Sequence, residues 1–336
     1  MTADNGAPGA LPHDLEPEQV AELTVIVVSY NTRDLTLKAL DTLYATTTDC
    51  TFEVIVYDNA SADGSAEAIA AAFPQVHLIA ADENIGFARA NNVAAGLVKT
   101  EWILLLNPDT ECHEAAVDSL LAFGKSHPSG GIYGGRTVFP DGTLNIASCW
   151  NKMTPWSLFC GAFGLSRLFS GSEFFNPEAL GGWKRDTVRR VDIVVGCFLL
   201  VRRSLWQELE GFNTRYFMYG EEADLCLRAR RLGYRPMITP DAEIMHLVGA
   251  ASSVRAEKAI LVAKAKSTLI RDHWPKTLQP LGRGLLFLWA FGRFSGSSLL
   301  GWVKPSGVSQ KQPDPDQMGT WQRVWYARNE WLAGYE

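Results

Sequence analysis

The sequence predicts an α/β protein: a doubly wound, mostly parallel sheet followed by a C-terminal helical extension. Three observations predict it. Short apolar runs alternate with helical patterns through the first half; clusters of Asp, Asn and Ser follow directly on those runs; and an Ala- and Lys-rich run begins at Arg255. Parallel neighbours need crossover connections, so strands separated by helices lie side by side with helices covering both faces.

Residues 24–29 (TVIVVS) read as a buried strand, and residues 34–45 place Leu35, Leu37, Ala39, Leu40 and Leu43 at helical spacing. Strand 52–57, helix 65–73, strand 76–80, helix 88–98, strand 102–106 and helix 114–125 continue the rhythm. Residues 130–139 and 191–201 read as further strands. Between them lies a stretch, 150–183, crowded with Trp156, Phe159, Phe163, Phe169, Phe174 and Phe175. Residues 222–232 read as helix, 235–238 and 242–246 as short strands, and 255–273 as a helix broken at Pro275. No internal repeat is visible.

With 336 residues, 47% of them hydrophobic, the chain has the apolar material for one large domain or two modest ones. That excludes collagen, a disordered tail and a small disulfide scaffold. Six cysteines with no CxxC pair suggest neither a zinc site nor a disulfide framework, and fit a reducing cytoplasm. Residues 1–22, rich in Ala, Pro, Gly and acids, read as a disordered lead and not as a secretion signal. The net charge is −6, yet residues 253–304 carry nine Lys/Arg against two Asp/Glu, leaving an acidic remainder. A nucleic-acid partner is not expected. That basic segment also holds Trp289, Trp302 and several Leu and Phe, interrupted by Arg283 and Arg293. Its apolar run falls short of the ~20 residues a spanning helix needs. The expectation is contact with an anionic membrane surface, the alternative a cap packed on the α/β domain or on a second subunit in a homo-oligomer.

In open α/β sheets ligands bind beyond the carboxyl ends of the strands. Four polar sets lie there: Ser29-Tyr30-Asn31; Asp58-Asn59-Ala60-Ser61 with Asp63-Gly64-Ser65; residues 84–92 (NIGFARANN); and Asn107-Pro108-Asp109. Asn59, Ser61 and Ser65 suit a turn and helix cap. Asp58, at a strand end, suits acceptance of a base N–H such as N3 of uracil or thymine. No GxGxxG follows the first strand, which weighs against a dinucleotide dehydrogenase. Asp109 reads either as a cap after a Pro turn or as a ligand for Mg²⁺ or Mn²⁺, cations that take carboxylates plus substrate phosphates. In Tyr219-Gly220-Glu221-Glu222-Ala223-Asp224 the acids suit a helix N-terminus. Asp224 and Arg228 form an i,i+4 structural pair, leaving Glu221 or Glu222 as a candidate general base. His246 reads as structural or, beside a metal–diphosphate site, as a Mn²⁺ ligand.

The order TVIVVSYN, VYDNASADGS, NIGFARANN, LLLNPDT, GCFLLVRR and GFNTRYFMYGEEADLCLRARRLGY, with a later histidine, resembles the family 2 inverting glycosyltransferases of the GT-A fold, within them the rhamnosyltransferase-like branch. The resemblance spans residues 24–251. It implies a transferase domain at 23–252 between the lead and a basic, aromatic helical region at 253–336. It implies that Asp58 contacts a pyrimidine base, that Ser29, Tyr30 and Asn31 line the nucleotide pocket, and that Gly86, Arg89 and Asn92 lie over the donor. Asp109 stands at the last position of the family's DxD metal motif, Asn107 replaces its first Asp, and His246 is the C-terminal ligand. Glu222 inherits the role of base beside Glu221. The implied donor is dTDP-rhamnose or a UDP-sugar. The implied acceptor is a glycan or polyprenyl-diphosphate-linked saccharide, met by a peripheral enzyme at the cytoplasmic face of the membrane. A sugar-nucleotide-binding protein without turnover, and a nucleotidyltransferase or dehydrogenase on a similar sheet, are the rival readings.

Overall fold

The computed structural model describes residues 21–247, 255–302 and 319–336. Most of the expected lead, residues 1–20, and the boundary expected at 252 lie outside them. The chain opens with β1 (Leu23–Ser29), α1 (Arg33–Thr46), β2 (Phe52–Asp58), α2 (Ser65–Ala72), β3 (His77–Ala80), α3 (Phe87–Ala95) and β4 (Trp102–Leu106). It continues through β5 (Thr110–Cys112), α4 (Ala116–Ser126), β6 (Ile132–Val138), β7 (Leu144–Asn145), β8 (Cys149–Trp150), α5 (Pro155–Ala162) and α6 (Leu165–Leu168). Then come β9 (Arg189–Arg190), β10 (Ile193–Val194), β11 (Phe198–Arg202), α7 (Arg203–Glu208), α8 (Glu221–Arg231) and β12 (Met237–His246). Four helices close the chain: α9 (Arg255–His273), α10 (Gln279–Trp302), α11 (Thr320–Tyr326) and α12 (Arg328–Ala333).

The main sheet runs β3-β2-β1-β4-β11-β6-β12-β5, with β7 paired to β6 and β9 to β12. Its first four strands are parallel. Alternate residues of β1 and β4 enter two separate cores: Ile26, Ile103 and Leu105 pack with α3 and α8 residues such as Ala94, Leu225 and Ala229. Val25, Val27 and Leu104 pack with Leu40, Leu43, Leu120 and Leu121 of α1 and α4. A strand buried on both faces reads as a continuous apolar run, which is why LTVIVV and WILLL were strand signals.

Two expectations are corrected. The run 191–201 is two strands: β10 leaves the main sheet to pair with β8, and β11 enters it antiparallel between β4 and β6. The two short strands at 235–238 and 242–246 are one, β12, with a register shift between Ile238 and Glu243. The sheet is therefore mixed beyond β4. The C-terminal helices bury Ala263, Leu286, Ala290, Val324 and Trp331 together, and Leu285 of α10 packs on Leu158 of α5. Arg293 lies over the Trp289 and Trp321 rings and Arg283 donates to the Leu332 carbonyl. For this part of the tail, packing on the protein is the arrangement the structure adopts.

Candidate active site

The carboxyl ends of β2, β1 and β4 meet the start of β11, because Phe198 lies opposite Leu106. The Asn107 N–H donates to the Cys197 carbonyl and the Thr110 hydroxyl to the Asn107 carbonyl (2.6 Å), which fixes the Asn107-Pro108-Asp109 turn. His246, at the end of β12, pairs in register with Thr110. These pairings, none of them local in sequence, bring the candidate residues to one edge.

At the carboxyl ends of β1 and β2, Asp58 is 2% exposed. Its Oδ2 accepts from the Ser61 N–H (3.1 Å), while its Oδ1 has no partner. Asn31, in the left-handed region at φ 52°, accepts from the Ala62 N–H (2.7 Å) and its own N–H donates to Ser61 Oγ (2.9 Å), clasping the two strand-end loops together. Tyr30 beside it is exposed. Ser29 points inward, its hydroxyl tied to Thr32 and Thr36 at 3.1 Å, so its side chain does not line a nucleotide pocket. The turn after β2 is as expected, but the helix cap is not: α2 starts after Gly64 without a side-chain cap, and Asp63 accepts from the Ser65 and Arg33 N–H groups.

Asn59 has a larger part than a turn residue: its amide donates to Asn84 Oδ1 and accepts from the Ile85 N–H, both at 2.9 Å. This fastens the loop ending at Gly86. A Cβ on Gly86, at φ +83°, would stand 2.7 Å from the Phe217 ring and carbonyl, so only glycine allows this approach. Arg89 is exposed and, with Glu83, Asn84, Thr214, Arg215 and Phe217, lines a cleft of about 250 Å³. Asn92 is spent elsewhere: its amide donates to the Phe212 carbonyl (2.8 Å) and accepts from the Phe212 N–H (2.9 Å). It braces α3 on the loop before α8 and is not free to contact a donor.

Asp109 and His246 are both buried, with Nε2 3.3 Å from Oδ1. Burial opposes charge on His246, but the Cys197 sulfur and the Asp109 carboxylate outweigh it and push the imidazole up to about 10. His246 Nδ1 has no partner. Once a cation displaces the imidazole proton, one carboxylate and one imidazole fit a hard divalent cation that takes its remaining ligands from a diphosphate and water. Among the described residues no group of three or more His, Cys, Asp or Glu side chains forms a closed cage.

The two glutamates open α8. Tyr219 and Gly220 are both left-handed, φ 68° and 93°, and a Cβ on Gly220 would lie 3.0 Å from Ala265 and the Tyr216 ring. Glu221 is 4% exposed, Glu222 is partly buried, and Oε2 of each lacks a partner. Burial pushes both carboxyls up, and Glu222 adds to the rise of Glu221. Burial and then the charges of Glu221, Glu222 and Asp109 also push the Tyr219 hydroxyl up, so these acids share one locality. Glu222 stands on the more open side, its Cβ 3.9 Å from where Gly196 would carry one, across from Phe87.

Below them Asp224 binds Arg228 Nε (2.7 Å) as expected, and also His273 Nε2 (2.8 Å), which the sequence did not reveal. Burial works against the Asp224 charge, but the His273 and Arg228 contacts outweigh it and hold its carboxyl below the usual range. A depressed carboxyl stabilises the fold above its unfolded value near 4 and loses that contribution as pH falls through the folded value. Asp224→Asn should therefore cost about 3 kcal/mol at neutral pH, with the deficit shrinking below about pH 4. Denaturant unfolding at the two pH values measures it, and an equal deficit at both would contradict the assignment. Tyr335, buried near the C-terminal end, donates its hydroxyl to the Met218 carbonyl and braces the loop that delivers the glutamates.

A mixed sheet with its acidic residues gathered at the parallel strands' carboxyl edge is the arrangement of a GT-A type fold, and the comparisons agree. Residues 24–207 match Glycosyl transferase family 2, more than half of the chain, and the protein belongs to that family of inverting glycosyltransferases. It is 28% identical over 259 residues to the N-acetylglucosaminyl-diphospho-decaprenol L-rhamnosyltransferase of Mycobacterium tuberculosis (strain ATCC 25618 / H37Rv), covering 74% of this chain and 83% of that one. It is 29% identical over 230 residues to rhamnosyltransferase WbbL of Escherichia coli (strain K12), covering 66% and 82%. The solved mannosyltransferase PcManGT from Pyrobaculum calidifontis, in complex with GDP-Man and Mn²⁺, superposes with a TM-score of 0.54 at 18% identity, covering 95% of this chain and 87% of that one. At that identity the likeness is one of fold. The family and fold read from the ordered motifs are borne out.

Proposed function

We propose that the protein transfers L-rhamnose from dTDP-rhamnose to a hydroxyl of a lipid-diphosphate-linked saccharide, in one inverting displacement that uses Mg²⁺ or Mn²⁺. The observation that carries this reading is the set of buried atoms without partners at and around one sheet edge: Asp58 Oδ1, His246 Nδ1, Glu221 Oε2 and Glu222 Oε2. Buried polar atoms are ordinarily hydrogen-bonded, so a polar ligand is their natural complement. The names of the rhamnosyltransferase relatives support the sugar and the lipid-linked acceptor.

In this reading Asp58 Oδ1 accepts the N3–H of the base while Oδ2 stays on Ser61. Asp109 and His246 would hold the cation, and Glu222 takes the proton of the acceptor hydroxyl as the acceptor oxygen attacks the anomeric carbon and the nucleoside diphosphate leaves from the opposite face. When bound, the cation neutralises charge developing on the departing nucleoside diphosphate. Release of nucleoside diphosphate from a panel of dTDP- and UDP-sugars, with and without acceptor, tests the reading. Turnover of a UDP-sugar alone would replace the donor, since Asp58 accommodates uracil as well as thymine.

Asp58→Asn should weaken nucleoside diphosphate binding about 10–100-fold with kcat little changed, because a charged acceptor of a buried N–H is lost. Calorimetric titration at saturating cation measures this, and an unchanged Kd removes Asp58 from the base pocket. In this reading the enzyme meets its lipid-borne acceptor peripherally, at the cytoplasmic face of the membrane. No described helix is long and apolar enough to cross one.

A further inference from the structure

Helix α5 is built with its aromatic side outward. A Thr154/Ser157 capping box and Pro155 in its first turn fix its start, and Leu158 and Cys160 bury its inner face against the α9–α10 cap. Trp156, Phe159 and Phe163, spaced i, i+3, i+7, face solvent at 38%, 38% and 59% exposure. The neighbouring turn adds Leu168, Phe169 and Phe174 at 73%, 44% and 65%. The rings form one continuous surface: Trp156–Phe159 at 5.5 Å between centroids, Phe159–Phe163 at 4.6 Å, Trp156–Phe174 at 5.0 Å, and Phe174 and Phe169 each joined to Phe175.

This surface is held in place and is not a loose loop. Trp156 Nε1 donates to the Phe174 carbonyl (2.6 Å), and Arg185, 1% exposed, donates to the carbonyls of Trp183 (2.8 Å) and Ala179 (2.9 Å). An apolar face of this kind, kept exposed by a rigid frame, marks an interaction site. Its charge identifies the partner. Residues 151–190 carry six Lys/Arg and three Asp/Glu. Two of the acids are already engaged, Glu173 by Arg189 and Glu178 by Lys266, whereas Lys152, Arg167, Lys184 and Arg190 are exposed. Asp186, the third acid, is exposed, so the segment keeps a surplus of exposed cations beside its aromatic face, and that combination suits the interface of an anionic bilayer.

We propose that the aromatic face of α5, α6 and the following turn, centred on Phe163, Leu168 and Phe174, docks the enzyme on anionic lipid. The inference rests on the lipid-linked acceptor proposed above and moves the membrane contact from the 253–304 tail to this segment. Sedimentation of the full chain with vesicles of phosphatidylcholine and phosphatidylglycerol, compared with phosphatidylcholine alone, tests it. Wild type should bind the anionic vesicles. The variant carrying Phe163→Ser, Leu168→Ser and Phe174→Ser, all at exposed positions, should lose at least about tenfold in partitioning while keeping the wild-type rate on a water-soluble acceptor lacking the lipid. Undiminished binding by the triple variant would overturn the assignment of this face and leave the lipid-linked acceptor standing. A wild type that turns over lipid-linked acceptor yet ignores anionic vesicles would overturn membrane docking itself. A wild type that is dimeric, ignores vesicles and becomes monomeric in the triple variant would give the face to a second copy of the chain.

Discussion

Glu222→Gln is expected to lower kcat by about 10²–10⁴-fold while leaving nucleoside diphosphate affinity nearly unchanged. The amide keeps the shape and the position at the start of α8 but cannot take the acceptor proton. The structure offers two adjacent carboxylates with an unpartnered oxygen, and their surroundings differ. Both act on the Tyr219 hydroxyl, but Glu221 is more deeply buried and also acts on Tyr335, whereas Glu222 lies toward Gly196 and Phe87. An acceptor hydroxyl has to reach the base, which favours the more open residue. Steady-state kinetics on both Gln variants checks it. A fully active Glu222→Gln beside a dead Glu221→Gln would move the base by one residue, and wild-type rates in both would remove general-base catalysis from this helix.

Asp109→Asn is expected to weaken divalent-dependent binding of nucleoside diphosphate by about 100-fold or more, since the proposed site has a single carboxylate. Asn107 does not compensate, because its backbone holds the turn and its side chain is a neutral amide. The fold should survive, since among the described residues no backbone N–H is capped by the Asp109 side chain, whose contact is with His246. Titration of the diphosphate with and without Mn²⁺ measures the effect. If wild type binds equally well in both conditions, the cation role of Asp109 and His246 is wrong.

The parallel half of the sheet is legible in the sequence because strands buried on both faces must be apolar throughout and helices must fill the crossovers. The family was legible too, since many short motifs in fixed order carry more information than any one of them. What the sequence hides depends on pairings between distant residues. The insertion of β11 beside β4 joins Phe198 to Leu106, and β12 brings His246 to Asp109, with no local signal for either. Ser29 and Asn92 stand within matching motifs, yet their side chains are taken up by Thr32, Thr36 and the Phe212 backbone. His273 and Tyr335 brace α8 and the loop before it from a tail for which the sequence left membrane contact and packing on the protein as alternatives. Arg283 and Arg293 illustrate the ambiguity: an arginine among Leu and Trp suits a lipid interface and equally a cation–π contact within a helical cap.

The most direct test of the account is the rate of nucleoside diphosphate release from dTDP-rhamnose in the presence of a polyprenyl-diphosphate-linked saccharide, measured with Mg²⁺ or Mn²⁺ and again after chelation. Acceptor-dependent release is expected, collapsing when the cation is removed and returning when it is restored. Release at the same rate in chelator, or no release from any nucleotide-sugar with either cation, would contradict it.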